Sequence, residues 1–199
     1  MTERPDNRDA VEAPIEASTE TVAAADRLEY WENWNQSSLV GLRCSSPTPE
    51  RFTARSSQLR FPDGVLTRIQ GSQHIVDRNE RNIQEIPKDS IFVNVLLRGQ
   101  AFLMDSSGMR LLRAGDSFVH TTMTPYLLGF DRDMDLLIVD VNPERAPEHW
   151  RNGADTSPRI HAPSLASRAL AQEGLAALIR RGDGVRLDGA QPLPYLGRV

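Results

Sequence analysis

The sequence predicts a mainly β fold, an antiparallel barrel or sandwich with one helix before it and one after. Three observations lead there. The apolar runs between Ile91 and Val141 are short, Gly, Asp and Pro separate them, and helical periodicity is confined to two segments outside this region. Short runs with turn residues between them suit hairpin-connected strands, whereas a βαβ fold would interpose longer helical patterns.

Taken in order, Ile91–Arg98 is an apolar strand that stops at Gly99, and Gln100–Met104 follows it. Asp105-Ser106-Ser107-Gly108 is a polar turn, because Asp and Ser side chains bond nearby backbone and Gly tolerates positive φ. Met109–Leu112 leads into a second tight turn, Arg113-Ala114-Gly115-Asp116, and then come the strands Ser117–Thr122, Pro125–Phe130 and Met134–Val141. Upstream, Arg51–Leu59 and Val65–Gly71 are joined by the turn Phe61-Pro62-Asp63-Gly64, and Ser72–Arg78 is a further extended piece. Val40–Cys44 reads as a short strand, and the charged, mixed stretch Asn79–Lys88 as a loop. Asn142-Pro143 and Pro147 end the β region; Glu144–Trp150 forms a short helical turn and Asn152–Pro163 a loop.

Two helices flank the strands. Thr19–Ser38 can be capped by Ser18 or Thr19, and places Val22, Ala25, Leu28, Trp31 and Trp34 near one face, the pattern of a helix laid against a core. The second starts at Ser164, runs through Arg181 and stops at Gly182, with Leu165, Ala169, Leu175, Leu178 and Ile179 apolar. The first eighteen residues are polar and lack periodicity, which reads as disorder, and 183–199 reads as a Gly- and Pro-containing tail or linker.

Composition narrows the function. A chain of 199 residues fits one domain with extensions, and its net charge of −4, with Lys88 the only lysine, speaks against a surface made to hold phosphate backbones. Cys44 is the single cysteine, so no internal disulfide forms, and no segment has the length and apolarity of a membrane span or a secretion signal. A cytoplasmic protein is the expectation.

Chemistry is sparse. No nucleophile elbow, phosphate-binding loop or dinucleotide fingerprint is present, and Cys44 has no histidine near it in sequence. What stands out is a set of polar residues on apolar strands: Arg68 between Leu66 and Gln70, Asn94 between Phe92 and Leu96, and His120 between Phe118 and Thr122, with His74 on a strand of its own. Left unpaired in a core, each such group would cost roughly 1–3 kcal/mol, so each faces water or lines a polar cavity. Together on one barrel they suggest a ligand pocket.

The run Leu112-Arg113-Ala114-Gly115-Asp116 before an aromatic strand resembles the turn of a cupin-type barrel (a double-stranded β-helix, or jelly roll). Glu29-Tyr30-Trp31, His74-Ile75-Val76-Asp77-Arg78, Phe92-Val93-Asn94-Val95, Thr124-Pro125-Tyr126 with Phe130-Asp131, and Asp140-Val141-Asn142-Pro143-Glu144 follow one another in a fixed order. Through them the stretch from about Leu28 to Glu144 resembles the N-terminal effector-binding domain of AraC-type transcriptional regulators. Metal-holding cupins carry H-x-H and a later histidine; Val76 and Phe118 stand at two of those positions, so no metal and no other cofactor is expected. The resemblance implies a ligand-binding barrel over 19–143 after a disordered 1–18, a helical dimerisation segment over 144–182, and a tail over 183–199, without the family's DNA-reading half. A homodimer follows, paired through Leu175, Leu178 and Ile179, with no DNA or membrane contact by this chain alone. The expected ligand residues are Arg68, His74, Asn94, His120 and Tyr126, with no catalytic residue. The other class left open is a metal-independent cupin isomerase or lyase acting on a small polar substrate, with His74 or His120 as acid or base.

Overall fold

The structure, a computed structural model, describes residues 15–61, 64–146 and 159–181. It is a cupin-like barrel made of two antiparallel sheets facing one another. Ile15–Ser18 (β1), Ala54–Phe61 (β3), Gly64–Gly71 (β4), Ile91–Arg98 (β6), Ser117–Thr121 (β9), Met134–Val141 (β11) and Arg159–His161 (β12) form the larger sheet, in the order β1-β3-β4-β11-β6-β9-β12. The smaller holds Arg43–Ser45 (β2), His74–Arg78 (β5), Gln100–Asp105 (β7), Gly108–Arg113 (β8) and Tyr126–Phe130 (β10), in the order β2-β5-β10-β7-β8. Three helices accompany them: Arg27–Ser38 (α1), Glu80–Glu85 (α2) and Leu165–Arg181 (α3).

The central strands fall where the apolar runs place them, and the turns show why. Gly99, between β6 and β7, sits at φ +95°, and a Cβ there would lie 2.8 Å from the Asp133 carbonyl oxygen. In the Ala114-Gly115-Asp116 turn, Gly115 also has φ +95° and its N–H donates to the Leu96 carbonyl at 2.7 Å. Asp116 closes the same turn by accepting the Arg113 N–H at 2.8 Å on its carboxylate, while Leu96 N–H donates to its carbonyl at 3.0 Å. This turn therefore stitches the smaller sheet to β6 of the larger one.

Four local expectations are corrected. Ile15–Ser18 is not disordered but pairs with β3, from Ile15 opposite Gln58 to Ser18 opposite Arg55; residues 1–14 lie outside the described residues, as does the expected tail 183–199. The first helix begins at Arg27 rather than Thr19, because the Thr19 hydroxyl accepts the Ala54 N–H at 2.8 Å and ties this stretch to β3 through two 3-10 turns. Ala25 is exposed there, whereas Trp31 and Trp34 are buried and stacked at 4.8 Å. Asn79–Lys88 contains α2, whose capping box joins Asn79 and Asn82 side chains to each other's backbone N–H groups. Within the expected loop 152–163, Arg159–His161 is a strand on β9.

Packing divides the interior in two. The main core fills the space between the sheets, under α1, and includes Trp31, Phe52, Leu96, Leu103, Phe118 and Met134. A second cluster lies on the outer face of the larger sheet, where Ala171 and Leu178 of α3 pack on Leu59, Leu66, Val95, Leu97 and Leu137. Gly174 allows the approach: a Cβ there would be 2.8 Å from Leu137 Cδ2. The helix thus covers its own barrel. Leu178, expected in a dimer contact, is 4% exposed within the chain, and Leu175 is half-buried beside it; only Ile179 faces out, at 55% exposure.

Candidate functional site

Strand register gathers the polar residues. In the larger sheet, Gln58, Thr67, Ile138, Asn94 and Phe118 form one cross-strand row, and Asp140, Phe92 and His120 belong to the next. Both rows face the smaller sheet. From that sheet β5 contributes His74 and Val76, and β10 contributes Tyr126, Leu128 and Phe130; Trp31 and Asn35 of α1 close the top. These side chains enclose a cavity of about 40 Å³, apolar in most of its wall, with His74, Asn94, His120 and Tyr126 among its polar groups. Larger hollows lie on the surface. One of about 330 Å³ beside β1, lined by Glu16, Glu20, Arg55 and Gln70, is open and of mixed charge, so it lacks the enclosure that a small ligand needs.

His74, His120 and Asn94 are each held by specific bonds. His74 Nδ1 lies 2.7 Å from the Ser72 carbonyl, and its ring packs on Phe52 and Phe130. His120 Nδ1 lies 3.2 Å from the Thr121 carbonyl, with the ring among Phe92, Phe118 and Tyr126. Burial lowers both imidazole pKa values to about 4, and Arg78 adds to the effect at His120. Asn94 Nδ2 donates to the Phe92 and Phe118 carbonyls, both at 3.3 Å. Burial pushes the Tyr126 phenol up to about 12, so it stays protonated.

Arg68 does not join this group. It sits on the opposite face of β4, where Nε and Nη2 bond Asp135 at 3.0 and 2.6 Å and Gln70 donates to the same carboxylate. Arg68 thus lies outside the cavity, as half of a buried, bidentate ion pair beside the open hollow next to β1. Conversely, Asn35 and Gln58 belong to the interior without having been singled out. Asn35 follows Trp31 by one helical turn and donates to its carbonyl at 2.7 Å, a polar residue in an aromatic stripe. Arg78 is fully buried beside the site and donates to three carbonyls, those of Thr122, Gly41 and Ile86.

His74 lies against Phe130 and His120 against Tyr126, aromatic residues four positions apart on β10. No group of three or more His, Cys, Asp or Glu suited to a metal is formed among the described residues. Cys44 is buried, its thiol pushed up to about 12 chiefly by burial and also by Glu32, which removes it as a nucleophile near neutral pH. No helix among the described residues is long and apolar enough to cross a membrane.

No family model and no curated protein matches the sequence. The fold does have a close counterpart in the AraC-like transcriptional activator CuxR, with a TM-score of 0.69 at 14% identity, over 86% of this chain and 62% of that one. The chain therefore spans less than two thirds of that protein's length. Two Escherichia coli proteins overlap less: YhaK (TM-score 0.36, 15% identity, 55% of this chain and 44% of that one) and the pirin YhhW in complex with nickel(II) (0.36, 13%, 54% and 49%). The likeness is one of fold, a cupin-like barrel of two facing antiparallel sheets.

Proposed function

We propose that this chain is the small-molecule-sensing and dimerisation domain of an AraC-type transcriptional regulator, working without a metal. The observation that carries the reading is the convergence of His74, Asn94, His120 and Tyr126 on one enclosed cavity between the sheets, in a fold shared with an AraC-like activator. Two fully buried histidines with pKa values near 4 are weak bases at neutral pH, and no carboxylate among the described residues lines the cavity to assist them. General acid–base catalysis works best with a pKa near the operating pH, so these features support binding over catalysis. The ion-poor cavity is suited to being filled, and filling it would brace α1, whose Trp31 and Asn35 form its roof.

The test is a thermal-shift screen of small metabolites against the chain and against Val76→Phe, which fills the cavity from β5. A ligand at a hundred times its Kd should stabilise the wild type by about 2.7 kcal/mol and leave the folded variant unmoved. Hits that stabilise both equally would place the ligand elsewhere.

A further inference from the structure

We infer that the barrel takes an uncharged small molecule that binds through its own hydroxyl or N–H donors. This rests on reading the barrel as a ligand site and specifies the chemistry of the occupant. A peptide carbonyl has no proton to give, so the contacts of His74 Nδ1 with Ser72 and of His120 Nδ1 with Thr121 place the ring hydrogen on Nδ1. In a neutral imidazole the other nitrogen, Nε2, then keeps its lone pair and accepts. Burial keeps both rings in that neutral form near pH 7.

The amides are fixed by the same logic. Asn94 turns its nitrogen to two carbonyls, which leaves Oδ1 as its outward atom. Gln58, in the same cross-strand row but outside the cavity wall, directs Nε2 to the Ser38 carbonyl at 3.0 Å and to Thr67 Oγ1 at 3.1 Å, and its buried Oε1 has no partner among the described residues. Neither histidine Nε2 nor Asn94 Oδ1 bonds another described residue. The cavity wall thus presents these acceptors beside two donors, the Tyr126 hydroxyl and the Trp31 N–H. No Asp, Glu, Lys or Arg among the described residues lines the cavity, so a cation or a carboxylate would be desolvated there without a counter-charge. Arg78, near His120, already gives each of its nitrogens to a backbone carbonyl. The volume of about 40 Å³ accommodates a few heavy atoms.

The experiment uses the full chain labelled with ¹⁵N-histidine, with His74→Phe and His120→Phe to assign the resonances. Long-range ¹H–¹⁵N correlation at pH 7 should show both buried rings neutral with the hydrogen on Nδ1; an imidazolium or an Nε2–H form would overturn the proposal. Ethylene glycol, acetate and ethylammonium, three probes of similar size, are then titrated in. Ethylene glycol should move the Nε2 resonance of His74 or His120 saturably upfield, and the two ions should not. Saturation by acetate or ethylammonium would keep the barrel as a ligand site and refute the donor-bearing class. No response of either histidine to any probe would overturn both.

Discussion

His74 and His120 make the stability of the barrel depend on pH in a definite direction. Burial depresses both folded-state pKa values from 6.5 to about 4, so the unfolded chain binds more protons between those values and stability falls as pH is lowered through that window. Between pH 7 and pH 5 each should remove about 2 kcal/mol. Urea unfolding at the two pH values measures this, and His120→Phe should abolish about half of the difference; an unchanged midpoint in the wild type would contradict the neutral buried rings. Arg78 supplies a second prediction. Its planar fork serves carbonyls on three different segments, and a lysine ammonium cannot reach all three. Arg78→Lys should therefore destabilise by about 2 kcal/mol or more, since each abandoned buried carbonyl costs roughly 1–3. Alternation along strands made Asn94 and His120 legible as inward residues, but the same rule misplaced Arg68. Strand β4 is covered on both faces, by the barrel core on one and α3 on the other, so a buried position there does not reveal which side it serves. The partner that settles it, Asp135, is 67 positions away in sequence.

At the scale of elements, α3 carries two faces with different work. Leu178 is buried on Leu137 and its neighbours, while Ile179 one position on is 55% exposed. Leu178→Ala should lower stability by about 2–4 kcal/mol in urea unfolding, and Ile179→Ser should stay within about 0.5 kcal/mol of the dissociated wild type at low concentration. Equal effects of the two would mean the helix is not docked through Leu178. The strands of the central region were readable because Gly99 and Gly115 mark their ends with backbone conformations that other residues resist. The start of α1 was not, because a long-range bond from Thr19 to Ala54 overrides a local capping signal. The short helix α2 had its signal in Asn79 and Asn82, hidden among charges that resemble a loop. Strand β12 is three residues long and exists through its pairing with β9, which no local pattern announces.

For the whole molecule, the outer stripe of α3 is the ground for proposing a dimer. Leu165, Ala169, Gln172, Ala176 and Ile179 recur at four- and three-residue steps, which keeps them on one helical face. Leu165 is 85% exposed and Ile179 55%, with Ala169 and Gln172 also exposed, so this face is not the one spent on the barrel. An antiparallel two-fold pairing centred on Gln172 would set Leu165 of one copy opposite Ile179 of the other and bury both. The alanines between would let the helices approach closely. The change Leu165→Glu with Ile179→Glu should convert a dimer to a monomer in sedimentation at tens of micromolar. It should leave the unfolding midpoint close to that of the dissociated wild type, because neither residue packs on the barrel. Leu178→Glu, on the inner face, should instead unfold or undock the helix. A wild-type chain that sediments as a monomer well above micromolar concentration would refute this pairing, and a double variant that still sediments as a dimer would move the interface to another surface of the barrel.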